Sequence, residues 1–177
     1  MPESLVRARK WRQVRKLWTT ACLSRDAGSV ISLVTLGSKP RTDAPASLLR
    51  ADYLQRIQRF GPAEALHLAD EAAWARWSAA HKAASAWRVL LDSRGRSLTS
   101  DALAQELGTA RDTGRRHMAF AIGPADGWTP GTLASADLVL SLGAITLPHE
   151  LAAVVLAEQV YRALTILAGH PYHLGHR

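Results

Sequence analysis

Met118–Ile122 reads MAFAI and runs straight into Gly123-Pro124-Ala125-Asp126-Gly127; Asp137–Leu142 reads DLVLSL and runs straight into GAITLP, Gly143–Pro148. Each pair is a short, continuous apolar run closed by a glycine-led loop. Runs of this length without polar alternation fit strands buried on both faces, as in a parallel sheet. The carboxyl ends of parallel strands gather at one edge, and ligands collect there. Both loops are therefore expected at the same edge. GAITLP is short, apolar and free of bulky polar side chains, which suits recognition of an adenine-type ligand through backbone N–H and C=O groups.

Working outward, Val30–Leu36 (VISLVTL, closed by Gly37), Glu64–Leu68 and Trp87–Leu91 (WRVLL) read as further strands. The last of these is expected to end at the turn cluster Asp92-Ser93-Arg94-Gly95. Helical patterns lie between them. Pro45–Arg59 carries a stripe at Leu48, Leu49, Tyr53 and Ile57, and Asp70–Ser85 is rich in Ala and Trp. Thr99 or Ser100 can cap a helix running to Arg111, and a long helix spans His149 to Leu167. The expected architecture is α/β, a mostly parallel sheet of five to six strands with helices on both faces. A chain of 177 residues suits one such domain, placed at residues 29–177.

Residues 1–28 differ in kind. Arg7, Arg9, Lys10, Arg12, Arg15, Lys16 and Arg25 face only Glu3 and Asp26, so most of the net charge of +7 sits in this extension. Trp11, Val14, Leu17 and Trp18 share a helical face. Three readings stay open: translation beginning near Val30 instead of Met1, an RNA-contacting basic arm, or an Arg-rich targeting segment. A signal-peptide core is not expected, because arginines and a lysine occupy its place. Cys22 stands alone, which excludes a disulfide framework and suits the cytoplasm. The apolar run Leu151–Leu167 is broken by Glu158, Gln159 and Arg162, so no membrane span is expected.

Several chemistries are excluded by motif. The turn Leu36-Gly37-Ser38-Lys39-Pro40 lacks the glycine spacing of a dinucleotide fold, and neither a Walker loop nor a nucleophile elbow is present. His170, His173 and His176 have metal-ligand spacing but read as a solvated tail, and no metal is expected. In the last helix Leu151, Val154, Val155, Leu156, Val160, Tyr161, Leu164, Ile166 and Leu167 wrap most of the circumference. Burial on two sides is expected, against the sheet and against a second copy in a two-fold dimer. Glu158 and Arg162, four apart, form either a surface ion pair or a pair near the substrate.

FAIGPADG (Phe120–Gly127), ADLVLSLGAITLPH (Ala136–His149) and LAEQVYRALTILAGHPYH (Leu156–His173) together resemble the ribosomal large-subunit methyltransferase H family of the SPOUT, or α/β-knot, methyltransferases. Weaker likeness extends through RVLLDSRGRSLTS to VISLVTLGSK, so the resemblance covers nearly everything after Gly28. It implies a homodimer with a C-terminal trefoil knot and S-adenosylmethionine held in the knot loops. It also implies methylation of N3 of a pseudouridine in a 23S rRNA stem-loop on the assembled ribosome. By similarity Leu91, Gly123, Pro124, Gly143, Ala144, Ile145, Thr146, Leu147 and Pro148 form the cofactor pocket. His149, Glu158, Arg162, Tyr172 and His173 lie toward the RNA.

For catalysis, His149 or His173 can accept the N3 proton, Arg162 can stabilise the anionic base, and Tyr172 can stack on a splayed base. Equally, Arg162 can serve only Glu158, and Tyr172 can pack at the dimer seam. The chain departs from the family pattern at Pro124, where a second glycine is usual, at Ala153, where arginine is usual, and at Leu174, where arginine commonly follows. It also runs about a dozen residues shorter after the second strand. These departures admit two alternatives: a weak or inactive rRNA-binding paralogue acting as an assembly factor, and an enzyme directed at another RNA.

Overall fold

The computed structural model describes residues 29–81 and 85–174; the basic extension 1–28 and its readings lie outside the described residues, as do His176, Arg177 and the side chain of His173. Five strands form one sheet: β1 (Val30–Leu36), β2 (Ala63–Leu68), β3 (Ala86–Ser97), β4 (His117–Ile122) and β5 (Leu138–Ser141). Their order is β2-β1-β4-β3-β5, and all four pairings are parallel. Among the described residues four helices connect them, α1 (Pro45–Ile57), α2 (Glu71–Ala80), α3 (Ser100–Asp112) and α4 (Pro130–Ala134), and α5 (His149–Leu167) follows β5, with a 3-10 turn at Pro171–Leu174.

The apolar runs are explained by burial on both faces. Every residue of β4 is buried, and β1 is buried after its first residue. Alternate side chains feed two cores. Ile31, Leu33, Met118, Phe120 and Val89 pack with α5 and α3, through Leu156, Val160 and Leu164 of α5 and Leu103 and Leu107 of α3. Val34, Leu36, Leu90, Ala119 and Ala121 pack on the opposite face with Trp74 of α2 and with Trp128. Thr99 caps α3 by accepting from the Ala102 N–H, and Asp70 caps α2 through the Ala73 N–H.

Two expectations are corrected. Asp92–Gly95 does not end β3. Leu91 and Arg96 both pair with Leu140, so the four residues between them form an irregular excursion inside a strand that continues to Ser97. Its turn chemistry is real, since Asp92 accepts from the Arg94 N–H at 2.9 Å and also pairs with its guanidinium. The glycine is needed for close approach, because a Cβ on Gly95 would lie 2.8 Å from the backbone of Val139 and Leu140. Second, much of the apolar surface of α5 is covered within its own chain, while Leu151 stays 49% exposed and Val155 and Ile166 are only partly buried. Ala153, Val154, Leu156, Ala157, Val160, Ala163 and Leu164 are buried within the one chain, where α1 and α3 flank the helix.

The stripe on α1 is also split. Ile57 is fully buried, but Leu48 and Leu49 are 60% and 47% exposed. The short helix α4 was not expected, although Thr129 before Pro130 is a capping signal that the structure uses.

A polar cluster interrupts the α2-side face at the amino end of the sheet. The Ser32 hydroxyl donates to Glu64 Oε1 at 2.7 Å and sits 2.6 Å from His117 Nε2. A hydroxyl has one proton, so His117 Nε2 must be the donor in the second contact. His81 packs edge-on to His117 at 4.7 Å, and Trp77 stacks on His81 at 4.2 Å. Burial, and next the His81 charge, hold the His117 pKa below its ordinary value despite the opposing pull of Glu64.

Two outcomes follow from this packing. Gly95→Ala forces β5 away from the excursion and lowers the unfolding free energy by roughly 1–3 kcal/mol, read as a lower urea midpoint at unchanged m-value; an unchanged midpoint contradicts the close approach. For His117, the unfolded chain takes up the proton first as the pH falls. Its contribution to stability is therefore complete above about pH 6.5 and is lost on acidification below that value. Urea midpoints measured between pH 7 and pH 5 should fall more steeply for the native chain than for His117→Gln.

Candidate functional site

At the carboxyl edge of the sheet, Leu91 is level with Ile122 across the β3–β4 pairing and with Leu140 across the β3–β5 pairing. Because β3 lies between β4 and β5, the loops Gly123–Gly127 and Gly143–Pro148 flank it from either side. The Leu91, Gly123-Pro124 and Gly143–Pro148 groups expected to hold a cofactor are thus brought to one place.

Trp128 forms the floor. The chain turns back after Ile122, with the Gly127 N–H donating to the Pro124 carbonyl at 2.9 Å and Gly127 at φ +81°. This folds Trp128 beneath the loop, 5% exposed, where its indole N–H donates to the Leu91 carbonyl at 2.9 Å. A Cβ at position 123 would lie 2.8 Å from the indole, so Gly123 is required by the tryptophan below it. Glu71 fixes the following segment. Its carboxylate accepts from the Thr129 N–H and from the hydroxyls of Thr129 and Thr132 at 2.9, 2.8 and 2.5 Å. Desolvation opposes ionisation of this carboxyl, yet the three hydrogen bonds together hold its pKa below the usual range. Neither Trp128 nor Glu71 was singled out from sequence. Only a tryptophan placed just after a glycine-led loop could have hinted at the floor.

The roof is the Gly143–Pro148 loop. Gly143 adopts φ +125°, and its N–H and carbonyl both contact the Ser141 hydroxyl at 3.2 Å. Ala144, Ile145 and Thr146 are exposed, Ile145 to 76%. Among the described residues, none bonds the backbone of Ala144–Leu147. These N–H and C=O groups are available to a ligand. His149, the first residue of α5, closes the ring: its Nε2 lies 3.1 Å from the Gly123 carbonyl. A carbonyl only accepts, so Nε2 carries the proton and Nδ1 remains an acceptor.

The remaining expected residues form a separate cluster on α5. Arg162 Nε and Nη2 donate to Glu158 Oε1 at 2.9 and 2.6 Å, and the Tyr172 hydroxyl donates to the same oxygen at 3.1 Å. The Arg162 guanidinium lies over the Tyr172 ring at 4.9 Å, and that ring meets Tyr161 edge-on at 4.7 Å. Gln159 donates to the other Glu158 oxygen at 2.6 Å. The Glu158 hydrogen bond raises the Arg162 pKa; burial, and next a Tyr53 hydrogen bond, raise that of Tyr172. Thirteen residues of helix separate His149 from Arg162, a rise of roughly 20 Å. One chain therefore does not bring His149 together with Arg162 and Tyr172. His173 follows Tyr172 in the 3-10 turn. Among the described residues no group of three potential metal ligands occurs, and no helix is long and apolar enough to cross a membrane.

Residues 30–173 match the family described as "Predicted SPOUT methyltransferase". The chain is 48% identical over 128 residues to the ribosomal RNA large subunit methyltransferase H of Koribacter versatilis, covering 72% of this chain and 88% of that protein. It is 44% identical over 144 residues to the protein of the same name from Rhizobium meliloti, covering 73% and 90%. Among solved structures it is similar to a probable methylase family protein from Haemophilus influenzae, at 13% identity and a TM-score of 0.49 over 82% of this chain and 70% of that one. With the match spanning nearly all the described residues, the chain belongs to the ribosomal RNA large subunit methyltransferase H family of SPOUT methyltransferases.

Proposed function

We propose that this chain is an S-adenosylmethionine-dependent methyltransferase that modifies N3 of a pseudouridine in a 23S rRNA stem-loop, acting as a homodimer on the assembled ribosome in the cytoplasm. The observation that carries the cofactor reading is the unbonded backbone of Ala144–Leu147, opposite Leu91 and above the Gly123–Trp128 floor. An adenine has both donors and acceptors on its edge and apolar faces, and this opening offers both kinds of contact. Leu91, Gly123, Pro124 and Gly143–Pro148 would hold the cofactor, which when bound supplies an electrophilic sulfonium methyl group. The trefoil knot belongs to the same reading.

The chain's own work is then placement and proton removal. N3 of the base must be brought in line with the methyl group, which is chiefly a matter of positioning. His149 donates through Nε2 to the Gly123 carbonyl, so its free Nδ1 can take the N3 proton. Glu158, Arg162, Tyr172 and His173 would meet the RNA from a partner protomer, since their own His149 is too far along α5. The exposed Leu48 and Leu49 on α1 and Leu151 on α5, at 60, 47 and 49%, offer an apolar surface for that partner.

Mass mapping of the rRNA stem-loop in wild-type and deletion strains is expected to show one methyl group lost on deletion; no change in mass sinks the rRNA reading, and a change in another RNA redirects it. In calorimetry the purified chain should bind S-adenosylmethionine, and Trp128→Phe, which keeps the ring but removes the donor to Leu91, should weaken binding about ten-fold, or about 1.4 kcal/mol. A chain that binds no cofactor would be the inactive paralogue. By light scattering the native protein should have the mass of two chains and the Leu48→Glu/Leu151→Glu variant that of one; a native monomer would contradict the dimer.

A further inference from the structure

A second opening lies on the far side of His149 from the cofactor loops, between α1 and α5. Thr35, Ala46, Ser47, Arg50, His149 and Ala153 line a shallow opening to solvent there. Thr35 is level with Ile122 in the β1–β4 pairing, so this cleft begins one residue from the Gly123 turn. His149 is the shared wall: one ring nitrogen holds the Gly123 carbonyl, and the ring itself lines the cleft.

Arg50 is the unusual group. It is half-buried, and among the described residues its only polar contact is with the Thr35 hydroxyl at 3.5 Å, the outer limit of a hydrogen bond. Arg56, further along the same helix, has Asp52 at 2.7 Å. Desolvation alone accounts for the lowered Arg50 pKa, with no carboxylate to offset it. A desolvated guanidinium without an anion is costly, and an incoming anion would relieve that cost. Glu150 also lines the cleft but is exposed at its rim, where solvent screens it.

We propose that the α1–α5 cleft binds a backbone phosphate of the RNA substrate through Arg50, fixing the strand beside the reacting base. The inference rests on the methyltransferase reading given above. Two anions could reach this neighbourhood, an RNA phosphate and the carboxylate of the cofactor. The cleft shares none of Leu91, Gly123 or Gly143–Pro148, which favours the RNA. Arginine matches a phosphate with two parallel donors, and phosphate contacts are what set the register of a bound strand.

The test measures methyl transfer to ribosomes from the deletion strain by the full-length chain and by Arg50→Met and Arg50→Lys. Methionine keeps the apolar stem, so the fold should survive, as a melting curve would verify. Arg50→Met is expected to raise KM for ribosomes about ten-fold, with kcat within about two-fold and S-adenosylmethionine affinity unchanged; the logarithmic salt slope should fall by about one. Arg50→Lys should recover most of the loss. An unchanged KM and salt slope overturns the proposal. A loss of cofactor affinity would assign the arginine to the cofactor carboxylate, and dissociation of the dimer would assign it to the interface; either overturns it too. If the native chain transfers no methyl group, the methyltransferase reading fails separately, and filter binding of the stem-loop to both proteins still decides the role of Arg50.

Discussion

Enclosure of β1 and β4 from both faces governs the rest of the molecule. A strand buried on two faces must have its backbone groups paired along both edges, which places β1 and β3 on either side of β4. With all pairings parallel, every connection must cross over a face, so helices cover both sides and the carboxyl ends share one edge. Leu91, Ile122 and Leu140 then stand level. The site inherits its geometry from that alignment. Trp128 ties the β4 loop to β3, and His149 ties the loop after β5 to the loop after β4. Two hydrogen bonds suffice because the strand ends beneath them are already held.

This constraint also explains what could be read from the chain. VISLVTL and MAFAI have no polar face to confuse their assignment, and His149–Leu167 is long enough to show its period. Thr99 marks the start of α3 correctly. Asp92–Gly95 misled because its turn chemistry is genuine but local, and only contact with Val139 and Leu140 shows that the strand resumes. The two glycine-led loops at the carboxyl edge were legible because each follows an apolar strand. The placements of Trp128 and Arg50 were not, since they depend on partners far away in sequence: Leu91, 37 residues from Trp128, and Ala153 of α5 across the opening from Arg50. The Ser32–His117 contact, 85 residues apart, was equally invisible.

The case for a second protomer changes its footing. An all-round apolar helix suggested that another copy covers α5, yet α1 and α3 already cover most of it, leaving Leu151 49% exposed. What calls for a partner is the division of labour along the helix. His149 stands at its first residue beside the cofactor loops, whereas Glu158, Arg162 and Tyr172 form a closed hydrogen-bonded unit well down its length. Gln159 and Tyr53 join the same network, so Glu158 and Tyr172 are held by several partners. On the proposed function, an aromatic ion-paired unit distant from its own cofactor loops is useful if a two-fold axis delivers it to the other site.

Arg50 bears on the departure at Ala153. Family likeness leads one to expect an arginine one turn into α5, and the alanine there leaves that helix without a cation facing the cleft. Ala153 and Arg50 line the same space from opposite walls. On the proposal that this space takes an RNA phosphate, the positive charge has not been lost but is supplied from α1. Coulomb attraction depends on where the guanidinium ends, not on which helix it starts from, and a long side chain from either wall can reach a shared anion. A residue-by-residue reading along the motif would count Ala153 as a defect; on the proposal, Arg50 across the same opening offsets it.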